Sequence, residues 1–185
     1  AITLGGMPLR EVNAAQWRRR CGVVMQDGYI FSDTLERNIA LGLETYDPAR
    51  ILYVCSLARL DDLLARLVDG IETRIGPNGH ELSAGERQRV LIARALFKDP
   101  DVFIFDEATS SLDGANEREL LQNLETALAG KTVITIAHRL STVINADRIV
   151  VLENGRLSEH GTHSELVSSR STYYDLIRNQ LELGR

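Results

Sequence analysis

No apolar run in this sequence approaches the ~18 residues that a membrane-spanning helix needs. That excludes a spanning helix built from these residues, and the first positions show no signal-peptide pattern. An excess of positive charge is also lacking. Lys and Arg number 21 against 26 Asp and Glu, giving a formal net charge of -5 and a pI near 5.4. This balance argues against a nucleic-acid partner. The local run Arg18-Arg19-Arg20 reads as a solvated face rather than a phosphate track. There are only two cysteines, Cys21 and Cys55, in contexts that read as buried strand and buried helix. Reduced packing residues of a cytosolic compartment are expected, ahead of a disulfide or a metal site. Internal repeats and low-complexity segments are absent.

What is present is an ordinary globular composition over 185 residues, 44% hydrophobic and 25% charged, enough for one well-packed domain. Ala1 to Leu4 with Gly5-Gly6 resembles the end of a hairpin, and a chain opening on Ala1 is expected to be an excised or processed piece. Gly22 to Met25 reads as a short buried strand that runs out at Gln26. Leu35 to Leu41 starts as a helix behind Asp33 or Thr34. From Asp47-Pro48 to about Val68, Ile51, Leu52, Val54, Cys55, Ala58, Leu60, Leu63, Leu64 and Leu67 keep helical spacing, with a break near Leu60-Asp61. Ile75 to Gly79 reads as a loop, and a helix runs from Ala84 to about Phe97. Strands and helices then alternate: strand Val102 to Phe105, helix Gly114 to Ala129, strand Thr132 to Ile136. Arg148 to Glu153 and Arg156 to Glu159 form a hairpin through Asn154-Gly155. Helices over Ser164 to Val167 and Thr172 to about Leu183 close the chain. Unbroken apolar runs predict strands buried on both faces, hence a mostly parallel sheet covered by helices. The fold class is α/β with an inserted helical subdomain.

Two segments carry chemistry. Ser83-Ala84-Gly85-Glu86 fits a capping box, with Ser83 as N-cap and Glu86 reaching back three positions later. It also fits an anion site, because small residues leave the first helical amides open to a phosphate. The two readings are compatible. The second segment is the apolar strand Val102 to Phe105, which ends on the acid pair Asp106-Glu107. Charge at the end of a buried strand is costly without a cation or donor. Asp106 suits magnesium, a hard cation that takes oxygen ligands, and Glu107 suits an attacking water that it orients or deprotonates. Asp113, behind Ser110-Ser111-Leu112, serves equally as a helix N-cap. His138 and Gln26 each end a strand, where ligands gather in a parallel sheet; taken singly, each is also an ordinary edge residue.

Together these residues resemble the nucleotide-binding domain of ATP-binding cassette (ABC) transporters, over nearly the whole chain. Leu82 to Glu86 is similar to the LSGGQ signature, Val102 to Asp106 to Walker B, and Glu107 to the catalytic glutamate. Ser110 to Asp113 resembles the D-loop, Gln26 the Q-loop and His138 the switch histidine. The segment Gln26 to Thr34 with Asn38-Ile39, and the segment Glu159 to Leu166, resemble exporters. Glu72 to Gly76 resembles the exporter loop that meets the transmembrane domains, and the flavour is that of bacterial peptide or bacteriocin exporters. Inside the signature, Ala84 replaces a glycine and Glu86 a glutamine. No G-x-x-x-x-G-K-[ST] loop occurs, so the P-loop and the adenine-stacking aromatic are expected upstream of residue 1.

The resemblance implies a P-loop NTPase-like ABC ATPase core lacking its P-loop portion, over 1–33 and 99–185, with a helical subdomain at about 34–98. It implies ATP and Mg2+ as cofactors, and a head-to-tail pairing with a second nucleotide-binding domain. Ser83, Ala84, Gly85, Glu86 and Asp113 would contact nucleotide. Asp106 and Gln26 would serve the metal, and Glu107, Gln26 and His138 the hydrolysis. The remaining partners would be an exporter's transmembrane domains, placing this otherwise soluble chain at the cytoplasmic face of the inner membrane. By itself, without a P-loop, it would be inactive. A different class stays open: a non-hydrolysing module that lends only its signature face to a competent partner. The ATPases of chromosome and repair complexes fit less well, since their long coiled-coil insertions are absent.

Overall fold

A computed structural model describes residues 2–109, 114–137 and 140–183. The chain divides into two compact units, Ala1–Ile136 and Ala137–Arg185.

The first unit opens with β1 (Thr3–Leu4) and β2 (Met7–Pro8), paired antiparallel around Gly5 and Gly6, both at positive φ. Thr3–Leu4 thus begins a hairpin, where the sequence suggests the end of one. Helix α1 (Ala14–Arg20) follows, its start capped by Asn13, whose Oδ1 accepts from the amides of Ala15 and Gln16. Sequence reasoning misses this helix because it carries little apolar periodicity. Arg18, Arg19 and Arg20 form its exposed last turn, where the helix dipole favours cations.

Strand β3 (Cys21–Val24) is followed by β4 (Asp33–Thr34) and α2 (Leu35–Ile39), with Thr34 Oγ1 capping α2 through the Arg37 amide. Helices α3 (Pro48–Leu57) and α4 (Asp61–Arg66) are separated at the expected break. Strand β5 (Arg74–Ile75) pairs antiparallel with β4, Asp33 opposite Ile75. Ile75 is therefore a fully buried strand residue and not the start of a loop. The long helix α5 (Ala84–Phe97) has the predicted limits. After it come β6 (Val102–Asp106), α6 (Gly114–Ala127) and β7 (Thr132–Ile136).

Strands β3, β6 and β7 form a parallel sheet in that order, with Val24 beside Phe105 and Asp106 beside Ile136. Side chains alternate across it. One face, with Val24, Phe103 and Phe105, joins the main core, and Gly22 on that face leaves room for the Pro100 ring, whose Cγ would lie 2.8 Å from a Cβ there. The other face does not meet the expectation of burial. Val23, Met25, Ile134 and Ile136 lie on it, each at least half exposed. The apolar runs therefore report a parallel sheet correctly, but only one of its faces is covered within the described residues. The core centres on the helical insert: Leu35, Ile39, Ile51, Cys55, Leu60, Leu63, Ile75, Val90 and Ile92 are buried together. Each large aliphatic side chain removed from water stabilises by about 1.5–3 kcal/mol. Leu52 is the exception to the helical pattern and stays half exposed. Both cysteines are free and buried, and burial together with the nearby Asp61 charge pushes the Cys55 thiol up to about 12.

The second unit contains α7 (Leu140–Val143), the antiparallel pair β8 (Ile149–Glu153) and β9 (Arg156–Gly161), and helices α8 (His163–Ser169) and α9 (Thr172–Leu183). The turn Asn154-Gly155 has both residues at positive φ, as a two-residue hairpin loop demands. Ile149, Val151, Leu166 and Tyr173 make its small core. Glu159 accepts from the Thr172 amide at 2.6 Å and from Ser171 Oγ at 2.7 Å, holding the start of α9.

Candidate functional site

The C-terminal edge of the parallel sheet collects the chemistry. Asp106 is the last residue of β6, half-buried, and lies on the sheet face that carries Ile104. Gln26, exposed, stands two residues beyond Val24, and Glu107 two residues beyond Phe105, the strand partner of Val24. Because β3 and β6 are parallel neighbours, the amide and both acids emerge at the same end. Glu107 donates its backbone N–H to the Ile136 carbonyl at 2.9 Å, and its φ is +49°. A non-glycine residue in the left-handed region costs of order 1–3 kcal/mol and persists where the surroundings fix it. Part of that fixing is visible: Ala108 is buried, and Thr109 Oγ1 donates to Glu117 Oε1 at 2.8 Å, both side chains buried, tying this segment to α6. His138 and Asp113, with Ser110, Ser111 and Leu112, lie outside the described residues.

Among the described residues, no group of three or more His, Cys, Asp or Glu is gathered to hold a metal alone. The donors that emerge at this end of the sheet are instead the carboxylates of Asp106 and Glu107 and the Gln26 amide. That suits Mg2+, which is commonly held by one or two carboxylates together with substrate phosphates and water.

The second predicted segment lies at the start of α5. The capping box is present in full: Ser83 Oγ accepts from the Glu86 amide at 3.3 Å, and Glu86 Oε2 accepts from the Ser83 amide at 2.8 Å. Ser83 and Ala84 are exposed and Gly85 half-buried, so the first turn faces solvent. Glu86 itself is buried. Burial pushes its carboxyl up, but hydrogen bonds from the Ser83 backbone and hydroxyl, and the paired Arg66, outweigh it and hold the group below its ordinary range. Arg66 is a partner that sequence reading misses, since it sits on α4 as one more surface charge.

A groove of about 720 Å³ runs between these regions, lined by Gln26 to Ile30, by Gly76, Pro77 and Gly79, and by Ala84, Arg87 and Gln88 of α5. Gln26 therefore belongs both to the sheet edge and to this groove. Gln88 is buried, and its side-chain Nε2 has no hydrogen-bond partner among the described residues. The groove wall is braced by a second feature the sequence does not advertise. Fully buried Asn38 accepts from the Phe31 amide at 2.9 Å and donates to the Phe31 and Thr34 carbonyls, both at 3.0 Å. Arg94 donates to the carbonyls of Tyr29 and Asn38 and lies over the Phe31 ring. Tyr29 and Phe31 meet edge to face and remain exposed.

A profile of the ABC transporter family matches residues 1–110. The ATP-dependent lipid A-core flippase of Cupriavidus metallidurans is 46% identical over 182 residues, 97% of this chain and 31% of that protein. The ABC multidrug transporter of Cryptococcus neoformans var. grubii is 39% identical over 183 residues, 97% of this chain and 13% of that protein. A bacterial Atm1-family ABC exporter solved with ATP bound superposes with a TM-score of 0.90 at 38% identity, covering 96% of this chain and 31% of that one. The chain thus spans about a third of the length of the bacterial relatives it matches. It belongs to the ABC transporter family, and its α/β architecture is that of the family's exporter ATPase domains.

Proposed function

We propose that this chain is the ATP-binding and hydrolysing part of an ABC exporter, converting hydrolysis into movement of a substrate across a membrane. The observation that carries the reading is the convergence of Gln26, Asp106 and a backbone-constrained Glu107 at one end of the parallel sheet. Asp106 with Gln26 would hold the metal, and bound Mg-ATP would supply the transferable phosphoryl group and offset its charge. Glu107 then orients the attacking water or takes its proton, and His138, which lies outside the described residues, keeps the hydrolytic role that its resemblance to the switch histidine gives it. Ser83, Ala84 and Gly85 would face the nucleotide held by a second nucleotide-binding domain paired head to tail, since an open helix start favours a phosphate. Glu86, buried behind Ser83, would support them, and Asp113, outside the described residues, keeps the nucleotide role that the resemblance gives it.

The groove beside Gln26 is the surface through which transmembrane domains would feel this closure. It is lined by the Gln26 to Ile30 segment and by the loop after β5, and it presents exposed Tyr29 and the buried Gln88 amide, which has no partner among the described residues. This reading places the chain at the cytoplasmic face of the membrane. The relatives named above are called a lipid A-core flippase, a multidrug transporter and an exporter; the first of these supports a lipid-like cargo over the peptides that the exporter-like motifs suggest.

In the full-length protein, Glu107→Gln should reduce ATP turnover by at least ~100-fold while sparing nucleotide binding, measured by phosphate release and by equilibrium binding. Turnover close to wild type would overturn the assignment. A polypeptide restricted to these 185 residues, which include no G-x-x-x-x-G-K-[ST] loop, is expected to show negligible hydrolysis in the same assay.

A further inference from the structure

We propose that Arg66 is a positioning residue for the helix start at Ser83, acting through Glu86: the ion pair holds the carboxylate in place behind Ser83 and offsets its charge, so that a phosphate can approach an acidic helix start and take over the Ser83 hydroxyl. This rests on the reading above, in which Ser83 and Gly85 face a nucleotide.

The contacts form one chain across two helices. Glu86 Oε2 accepts from both the amide and the hydroxyl of Ser83, each at 2.8 Å. Glu86 Oε1 accepts from Arg66 Nη2. Arg66 Nε in turn donates to the Asp62 carbonyl at 3.1 Å, fixing the guanidinium on the last turn of α4. The Glu86 side chain is 9% exposed and that of Arg66 58%, so the carboxylate is almost out of water while its cation bridges to solvent.

Three consequences follow from this geometry. The Ser83 hydroxyl proton points at Glu86 in this arrangement, and Ser83 Oγ also accepts from the Glu86 amide. Its orientation is therefore set by a carboxylate that Arg66 holds in place. A phosphate oxygen at Ser83 competes for that hydroxyl hydrogen bond, with no proton changing owner. If Arg66 is removed, a nearly buried carboxylate loses its cation beside the place where negative phosphates arrive, and like charges repel strongly where water is scarce. A neutral glutamine at position 86 has no such requirement. Arg66 should therefore matter only while residue 86 is acidic.

The test is a double-mutant cycle in the full-length protein, reading KM for ATP and kcat separately. Arg66→Met is expected to raise KM about tenfold with kcat much less affected. In the Glu86→Gln background the same substitution should change KM by less than about twofold. Arg66→Lys should restore KM only partly, because a single ammonium cannot span Glu86 and the Asp62 carbonyl as the planar fork does. An unchanged KM in Arg66→Met, or an equal rise in both backgrounds, overturns the proposal. If Arg66→Met does not fold, Arg66→Lys decides in its place: it should raise KM in the Glu86 protein and leave KM unchanged in the Glu86→Gln background, and an unchanged KM in the first or an equal rise in both overturns the proposal. A Ser83→Arg variant separates the two levels. If it retains normal KM and turnover, the reading of the signature itself fails; if it is inactive while Arg66→Met behaves as wild type, only the role of Arg66 falls.

Discussion

Asn38 shows how one residue can decide a local structure that no periodicity describes. Its amide makes the hydrogen bonds that a short strand would otherwise make, to both the amide and the carbonyl of Phe31 and onward to Thr34. It is fully buried, and leaving those backbone groups unpaired costs about 1–3 kcal/mol each. Asn38→Leu, close in volume but without hydrogen-bonding atoms, should therefore destabilise the domain by about 2–4 kcal/mol, read from the denaturant midpoint at constant slope. A change under about 0.5 kcal/mol would mean that Arg94 alone holds the segment. Glu86 makes a related point about charge. In the sequence it is a conservative departure from a glutamine; in the fold its carboxyl is held below the ordinary range by Ser83 and Arg66 against the opposing effect of burial. A carboxyl with a lowered folded-state pKa gives stability that is present above the ordinary carboxylate range and is lost as pH falls through the lowered value.

Elements in this chain follow their local signals where those signals are strong. Helix α5 begins and ends where a capping box and a lysine-aspartate-proline stop put it, and Asn154-Gly155 closes its hairpin through two left-handed residues. The pairing of β4 with β5 is different, because each strand is only two residues long. Nothing in either dipeptide announces a strand; the partner, distant in sequence, makes it one. Gly76 follows directly, at φ +91°, and a Cβ built there would lie 2.8 Å from the Phe31 carbonyl oxygen. Gly76→Ala should thus both strain the backbone and push the loop off Phe31, costing at least about 1 kcal/mol. Faster limited proteolysis in the Phe31 and Gly76 segments would report it, and wild-type cleavage there would contradict it.

At the scale of the whole molecule, the uncovered sheet face is the feature with the clearest physical consequence. On this face Val23 of β3, Ile104 of β6 and Ile134 of β7 lie side by side, with Met25 and Ile136 beyond them on either side of Asp106, and an exposed apolar surface of this kind drives association in water. A polypeptide of these 185 residues should self-associate, raising its sedimentation coefficient with concentration, and Val23→Lys with Ile134→Lys should suppress this. Sedimentation as a monomer at every concentration would refute it. By itself, the sequence determined the α/β class, the limits of α5 and α9, the parallel strands that run out just before Gln26 and at Asp106, and the capping box at Ser83. These are written in contiguous residues, as hydrophobic runs, caps and turn dipeptides, and local chemistry is enough to read them. Tertiary structure decided which sheet face stays uncovered among the described residues of the first unit, that Arg66 answers Glu86, that Asn38 and Arg94 brace the Phe31 segment, and that Glu107 takes a left-handed backbone. Each of those depends on groups brought together from distant positions, and a single charged or polar letter carries no record of the partner it will meet.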